Sequence, residues 1–238
     1  MKAIGKSCLQ LLVSLKRDAM LLAACLAPVL FGLLFRFGIP VLEGYLTFRF
    51  KQADMLSPYY GLFDLLFSLL APAMLCFAAA MVILEETDDH IAGYFYVTPL
   101  GYRGFLASRV LIPSAAAFIL TLLLLPLFVL TPLSAGSMLL MVLCGSMQGV
   151  LTTMLVVSFS SNKLEGVAVT KISSLLMLGI FAPYFIKNSW QYLFSALPSY
   201  WIAKAVFEKQ QLFFIPAVFL SGIWYLCLAE RFRKKTVK

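Results

Sequence analysis

The chain has 238 residues, of which 62% are hydrophobic and 13% charged, with a net charge of +8 and a mean hydropathy of +0.93. A soluble domain carries about a quarter charged side chains, so this composition excludes a soluble enzyme, a disulfide-rich secreted scaffold and a disordered tail. The apolar residues fall in runs of roughly 17 to 26, long enough to cross a ~30 Å hydrocarbon core as helices. The expected fold is all-α: a polytopic helical membrane protein with six spans.

Residues 1–18 place Ile4, Cys8, Leu11, Leu12 and Leu15 on one helical face, and Lys2, Lys6, Gln10, Lys16 and Arg17 on the other. That pattern predicts an amphipathic helix in the headgroup plane. No A-x-A-like site follows it, which argues against a cleaved signal. Span one is expected from Ala19 to about Ile39, with Arg36 snorkelling to the interface, and Pro40–Ser57 as an outer loop. Span two is expected over Tyr59–Leu84 and includes Asp64 and Pro72. The longest polar stretch, Glu85–Arg109, precedes a third span over Val110–Leu130. Thr131-Pro132 turns the chain into a fourth span, Ser137–Phe159, and the polar link Ser160–Gly166 leads to a fifth, Val167–Ile186. Lys187–Gln211 forms a second outer segment before a sixth span over Leu212–Ala229. The spans leave no room for a soluble domain, so residues 1–238 read as one transmembrane unit.

Most of the 19 Lys and Arg fall on the side that holds both ends of the chain. By the positive-inside rule both termini are expected to be cytoplasmic. The same placement, between apolar runs rather than on a basic face, argues against nucleic-acid binding. Five cysteines lie singly in apolar surroundings and the one histidine, His90, has no companion, so no metal site is expected. Gly5-Lys6-Ser7 matches only the tail of a phosphate loop and lacks its upstream glycine. No catalytic residues are expected.

Three places could carry function. Glu85, Glu86, Asp88 and Asp89 make the densest acidic cluster, and the segment after them can form a short amphipathic helix that must turn at Thr98-Pro99. Asp64 is a carboxylate inside a span, a functional candidate by default, though pairing with Arg36 or hydration at the mouth would explain it equally. Trp190, Leu193, Phe194, Leu197 and Trp201 recur at helical spacing and predict a re-entrant or interfacial helix within 187–211. Gly179 and Pro183 would loosen span five and are candidates for a gate, although both are tolerated in membrane helices.

At Glu85, Glu86, Gly93, Thr98, Pro99 and Leu100 the sequence resembles the permease subunits of type-two ATP-binding cassette exporters. In those proteins acidic residues, a glycine and a Thr/Ser-Pro-Leu join the second and third spans. The amphipathic start, the six spans, the Ser161–Gly166 link and the polar segment before span six agree with the same family, while Arg109 stands where a lysine is common. The resemblance implies that residues 85–109 hold a cytoplasmic coupling helix docking a separate ATPase through Glu85, Glu86, Asp88, Asp89, Gly93, Thr98, Pro99, Leu100 and Arg103. It implies a second permease, identical or related, in a bacterial inner membrane. ATP and magnesium would sit on the partner, with no cofactor on this chain. It further implies alternating access along spans two and five for an amphipathic drug, antibiotic, antimicrobial peptide or lipid. A self-sufficient secondary transporter or channel and a membrane-anchored immunity or assembly factor are the rival readings.

Overall fold

The computed structural model describes residues 17–51, 54–89 and 101–236, with Gln10, Val13 and Ile91, the side chains at 102, 103 and 236 excepted. Among the described residues six helices are long and apolar enough to cross a membrane: Ala19–Phe50, Ser57–Asp88, Gly104–Phe128, Ala135–Phe159, Lys163–Phe185 and Gln211–Lys235, spans one to six in chain order. The amphipathic helix expected over residues 1–18 falls almost wholly outside the described residues, as does the segment expected to form the coupling helix. One end of the bundle, the terminal face, gathers Asp18, Glu85, Asp88, Lys163 and Lys235. The opposite face gathers Glu43, Ser57, Asp64 and Thr131.

Spans two and four form the axis, each 72% buried, whereas the other four are between 17% and 28% buried and face outward. A proline and two glycines explain how closely the two pack. Pro72 has no N–H to bond the Ser68 carbonyl one turn earlier, and that carbonyl points at span four. A Cβ on Gly145 would sit 2.1 Å from it, and one on Gly149 would sit 2.9 Å from Cys76 Sγ and 3.1 Å from the Pro72 carbonyl. One turn further, Thr153 Oγ1 donates to the Cys76 carbonyl at 2.8 Å. Gly145, Gly149 and Thr153 make a small-x-x-x-small stripe, the pattern that lets membrane helices approach backbone to backbone.

Several expected boundaries are corrected. Span one does not stop at Ile39; its helix continues to Phe50, so the outer loop expected over Pro40–Ser57 is mostly helix. Pro40 does not end the helix because a π-helical turn, Leu34–Gly38, precedes it. The same device recurs before Pro113, where Ala107–Leu111 is π-helical. Widening the turn removes the clash between a proline ring and the carbonyl four residues back. In both places that residue is an arginine within an Arg-x-x-Ile-Pro stretch, Arg36 and Arg109. At 32 residues span one is about 48 Å long by helical rise, longer than the hydrocarbon core. Span two also outruns its expected end, continuing from Leu84 through Asp88, and the third span begins at Gly104 rather than Val110.

The stripe from Trp190 to Trp201 does not lie on one helix. Ser189–Ala196 is a 3-10 helix, Leu197 is extended at φ −93° and ψ 127°, and a separate α-helix covers Pro198–Phe207. Pro198 is the cause, because proline drives the residue before it out of helical conformation. Trp190 and Leu193 remain exposed. The ten-residue helix that follows buries nearly its whole circumference, from Pro198 to Ala205. At its base the Ala196 carbonyl accepts from Trp224 Nε1 at 3.2 Å, roughly 20 Å along span six from Gln211 by helical rise. The segment therefore descends into the bundle and returns to the opposite face.

Candidate functional site

The terminal face is held by a polar network that begins with Lys163, the first residue of span five. Its ammonium bonds Asp18 Oδ2 at 2.5 Å and Glu85 Oε2 at 3.2 Å, and its backbone N–H donates to Asp88 Oδ2 at 3.0 Å. One lysine thus ties the starts of spans one and five to the end of span two. The Lys163 ammonium beside Asp18 holds that carboxyl below its usual 3.8. Asn162 caps the same helix by accepting from the Glu165 N–H at 2.8 Å, and Glu165 Oε2 accepts in return from the Ser161 N–H at 2.7 Å. This is a capping box displaced by one residue, and it fixes the angle at which span five leaves the face.

The other spans join at the same level. Arg109 is fully buried, and its guanidinium bonds both oxygens of Glu86, with Nε at 2.9 Å from Oε2 and 3.1 Å from Oε1. Lys235 donates to the carbonyls of Val157 and Ser160, and the Arg231 guanidinium lies 3.9 Å over the Phe159 ring. Basic groups at the last carbonyls of a helix answer the negative end of its dipole. Span six is fastened to the end of span four in this way.

Of the four carboxylates expected to face a partner, three are engaged inside the chain: Glu85 with Lys163, Glu86 with Arg109, and Asp88 with the Lys163 backbone. Asp89 closes span two as its C-cap and is exposed. Arg103 lies on the helix Gly101–Leu106. Gly93, Thr98, Pro99 and Leu100 lie outside the described residues. The sequence reading missed Lys163 as the hub and treated Arg109 as a loop residue. Asn162 and Glu165, three residues apart ahead of an apolar run, were the available signal for the helix start.

At the opposite face Asp64 is 3% exposed. It accepts from the Leu130 N–H at 2.8 Å, the Thr131 N–H at 3.0 Å and Thr131 Oγ1 at 2.5 Å. Arg36 does not pair with it directly; its Nη1 bonds the adjacent Val129 carbonyl at 2.8 Å. Spans one and two therefore grip the same turn between spans three and four. Asp64→Ala strips three donors of their acceptor and should lower stability by about 1–3 kcal/mol, while Asp64→Asn should cost less. Thermal unfolding of both variants in detergent checks the order.

Gly179 and Pro183 sit where span five changes form, with α-helix to Ser173, 3-10 helix over Ser174–Phe181, then a turn of α-helix over Ala182–Phe185. A Cβ on Gly179 would lie 2.6 Å from Ser199 Oγ and 2.7 Å from the Tyr200 nitrogen. Only glycine lets span five meet the Pro198–Phe207 helix so closely. Trp201 belongs to that helix and donates to the Ser195 carbonyl at 2.8 Å, while Phe194, on the 3-10 helix before it, is half-buried.

Comparison with known proteins bears on what this frame does. The family model described as "Fluoroquinolones export permease protein Rv2686c-like" matches residues 12–230, and so takes in all six spans down to the base of the sixth. This chain belongs to that family. Two Mycobacterium tuberculosis proteins, the fluoroquinolones export permease proteins Rv2686c of strain H37Rv and MT2760 of strain CDC 1551, are each 27% identical over 194 residues, covering 79% of this chain and 75% of theirs. No solved structure matches. The chain is a multi-pass membrane protein and a transport permease, as its resemblance to type-two ATP-binding cassette permeases led one to expect.

Proposed function

We propose that this permease is the membrane subunit of an ATP-driven exporter in a bacterial inner membrane. The terminal face is cytoplasmic and docks a separate ATPase that carries the ATP and magnesium. A second permease, identical or related, completes the path. Planar amphipathic drugs of the fluoroquinolone kind are the first substrates to consider, because the mycobacterial relatives are named for exporting them. The observation that carries this reading is the family match across residues 12–230.

The terminal-face network supplies a mechanical rationale. A push on the segment between spans two and three acts on the end of span two, from which Lys163 transmits it to spans one and five, and Glu86–Arg109 to span three. Span five yields at the 3-10 stretch Ser174–Phe181, a form poorly suited to long runs and common at hinges, so Gly179 and Pro183 stand at the bend of the gate. A self-sufficient proton-coupled carrier would use a free carboxylate within the spans, and Asp64 is committed to the Leu130–Thr131 turn instead.

Docking is tested at Asp89, whose exposed side chain makes no hydrogen bond or ion pair among the described residues, and at Gly93, which the sequence places in the coupling segment. Asp89→Lys and Gly93→Trp should insert and fold normally. Both should lose copurification of the ATPase, or let substrate-stimulated hydrolysis fall to the basal rate. Stimulation equal to wild type in both variants would make residues 85–109 a plain connector.

A further inference from the structure

The opposite face holds a cavity of about 610 Å3 that the terminal-face network does not touch. Its size suits a drug-sized organic molecule, whose sites run from ~300 to ~1,000 Å3. Met141, Tyr184, Val206, Phe207 and Phe214 give it apolar walls, and Lys209 is the one charged residue among those that line it.

The charges around the cavity are unevenly spent. Three nearby carboxylates are already bonded: Glu43 to Ser57 and Tyr60, Asp64 to Leu130 and Thr131, Glu208 to Lys204 at 3.8 Å. Among the described residues Lys209 makes no ion pair, and neither the Tyr184 hydroxyl nor the Gln211 amide is hydrogen-bonded to another side chain. A cation, a hydroxyl and an amide thus line one space without a side-chain partner among the described residues. The first turns of spans two, four and six also open here, through Ser57, Ser137 and Gln211, and helix N-termini favour negative charge.

The placement of Lys209 is itself unusual. It ends the Pro198–Phe207 helix in the left-handed region at φ 54°, where its N–H donates to the Val206 carbonyl and the Gln210 N–H to the Ala205 carbonyl. Glycine is the ordinary residue at such a cap, and a lysine there puts a charged residue in the lining of the cavity at some conformational cost.

We infer that this cavity binds an amphipathic organic anion, with its negative group on Lys209, a polar atom within reach of Tyr184 or Gln211, and its flat apolar body among Met141, Phe207 and Phe214. That the bound anion is cargo rests on the export reading; the binding itself does not.

The test is equilibrium binding of norfloxacin, a fluorescent planar zwitterion whose carboxylate is its only anionic group, to the purified full chain in nanodiscs. Saturable binding to wild type is expected to weaken about tenfold in Lys209→Gln, the scale of one charge-assisted hydrogen bond. The methyl ester of norfloxacin, which keeps the piperazinium but not the carboxylate, should bind Lys209→Gln at least as tightly as wild type. Gly61→Leu fills the cavity without touching the charge, since a Cβ at Gly61 lies 3.4 Å from the Tyr184 hydroxyl and 4.0 Å from Val206; it should weaken acid and ester equally. Nanodiscs of phosphatidylcholine, with and without phosphatidylglycerol, separate the two sources of such an anion. Competition by the anionic lipid makes a lipid headgroup the occupant, and its absence makes it a soluble amphiphile. The proposal is overturned if wild type shows no saturable binding, or if Lys209→Gln or Gly61→Leu binds norfloxacin as wild type does. Drug efflux by cells making the chain with its ATPase is measured alongside. Efflux that survives both substitutions removes the cavity from the path and leaves the exporter reading intact. Absence of efflux in wild type, with Lys209-dependent binding retained, removes the exporter reading and leaves the cavity.

Discussion

Replacing Gly145 with alanine is expected to destabilise the bundle by roughly 1–3 kcal/mol, as overpacking of a close-packed contact does, and leucine there is expected to prevent assembly. The added Cβ would stand 2.1 Å from the Ser68 carbonyl and 3.5 Å from Pro72 Cγ, and the first of these is backbone that cannot rotate away. Either spans two and four separate along their length or span two bends further at Pro72. Both choices strain the Thr153–Cys76 hydrogen bond one turn below Gly149. Gly222→Ala is the matched control, because a Cβ there meets nothing within 4 Å; exchanging glycine for alanine in a helix favours folding by up to about 1 kcal/mol. The two variants should move the unfolding midpoint in opposite directions when melted in the same detergent. A Gly145→Ala protein that melts with Gly222→Ala would mean that the two spans do not touch at this point.

The six spans were legible because an apolar run of twenty residues has few other places to go. Their ends were less so. Pro40 and the acids after Leu84 look like stops, and in a soluble helix they would often be. Here a π-helical turn absorbs Pro40, and Lys163 and Arg109 neutralise Glu85 and Glu86 where the helix carries them past the apolar run. The Asp18–Lys163 bond joins residues separated by most of the chain, and nothing in local spacing announces it. Pro198 could have been weighed more heavily against the helical stripe running through it. Gly145-x-x-x-Gly149 was readable as a packing face; only the structure shows that it is used within the chain, against span two. At the candidate coupling site the acidic cluster was found, but its inward bonding was not, because a run of like charges reads as a surface until its partners are placed. The cavity at the other face left no trace in sequence, being assembled from four separated segments that each look like a loop or a helix end.

Glu86→Ala is expected to cost about 3–5 kcal/mol, the usual penalty for taking one partner from a buried ion pair. Arg109 is fully buried and Glu86 nearly so, at 0% and 13% side-chain exposure. The planar fork of the guanidinium meets both carboxylate oxygens, a geometry that lysine cannot reproduce. Without the carboxylate, a guanidinium at the π-helical start of span three keeps its charge but loses its bidentate acceptor. The paired replacement Glu86→Leu with Arg109→Met should recover most of the loss, since apolar residues of similar volume commonly replace a buried pair at no cost. Stability and coupling should then part company. The ion pair joins the end of span two to the start of span three, and so fixes the two ends from which the expected coupling segment springs. Substituting non-directional contacts preserves the packing without preserving that register. The double variant should therefore melt near wild type while substrate-stimulated ATPase activity in the reconstituted complex stays several-fold low. Full recovery of both would reduce the pair to a fold-stabilising contact. Failure of the double variant to regain stability would trace the cost of Glu86→Ala to lost shape rather than to the broken charge pair.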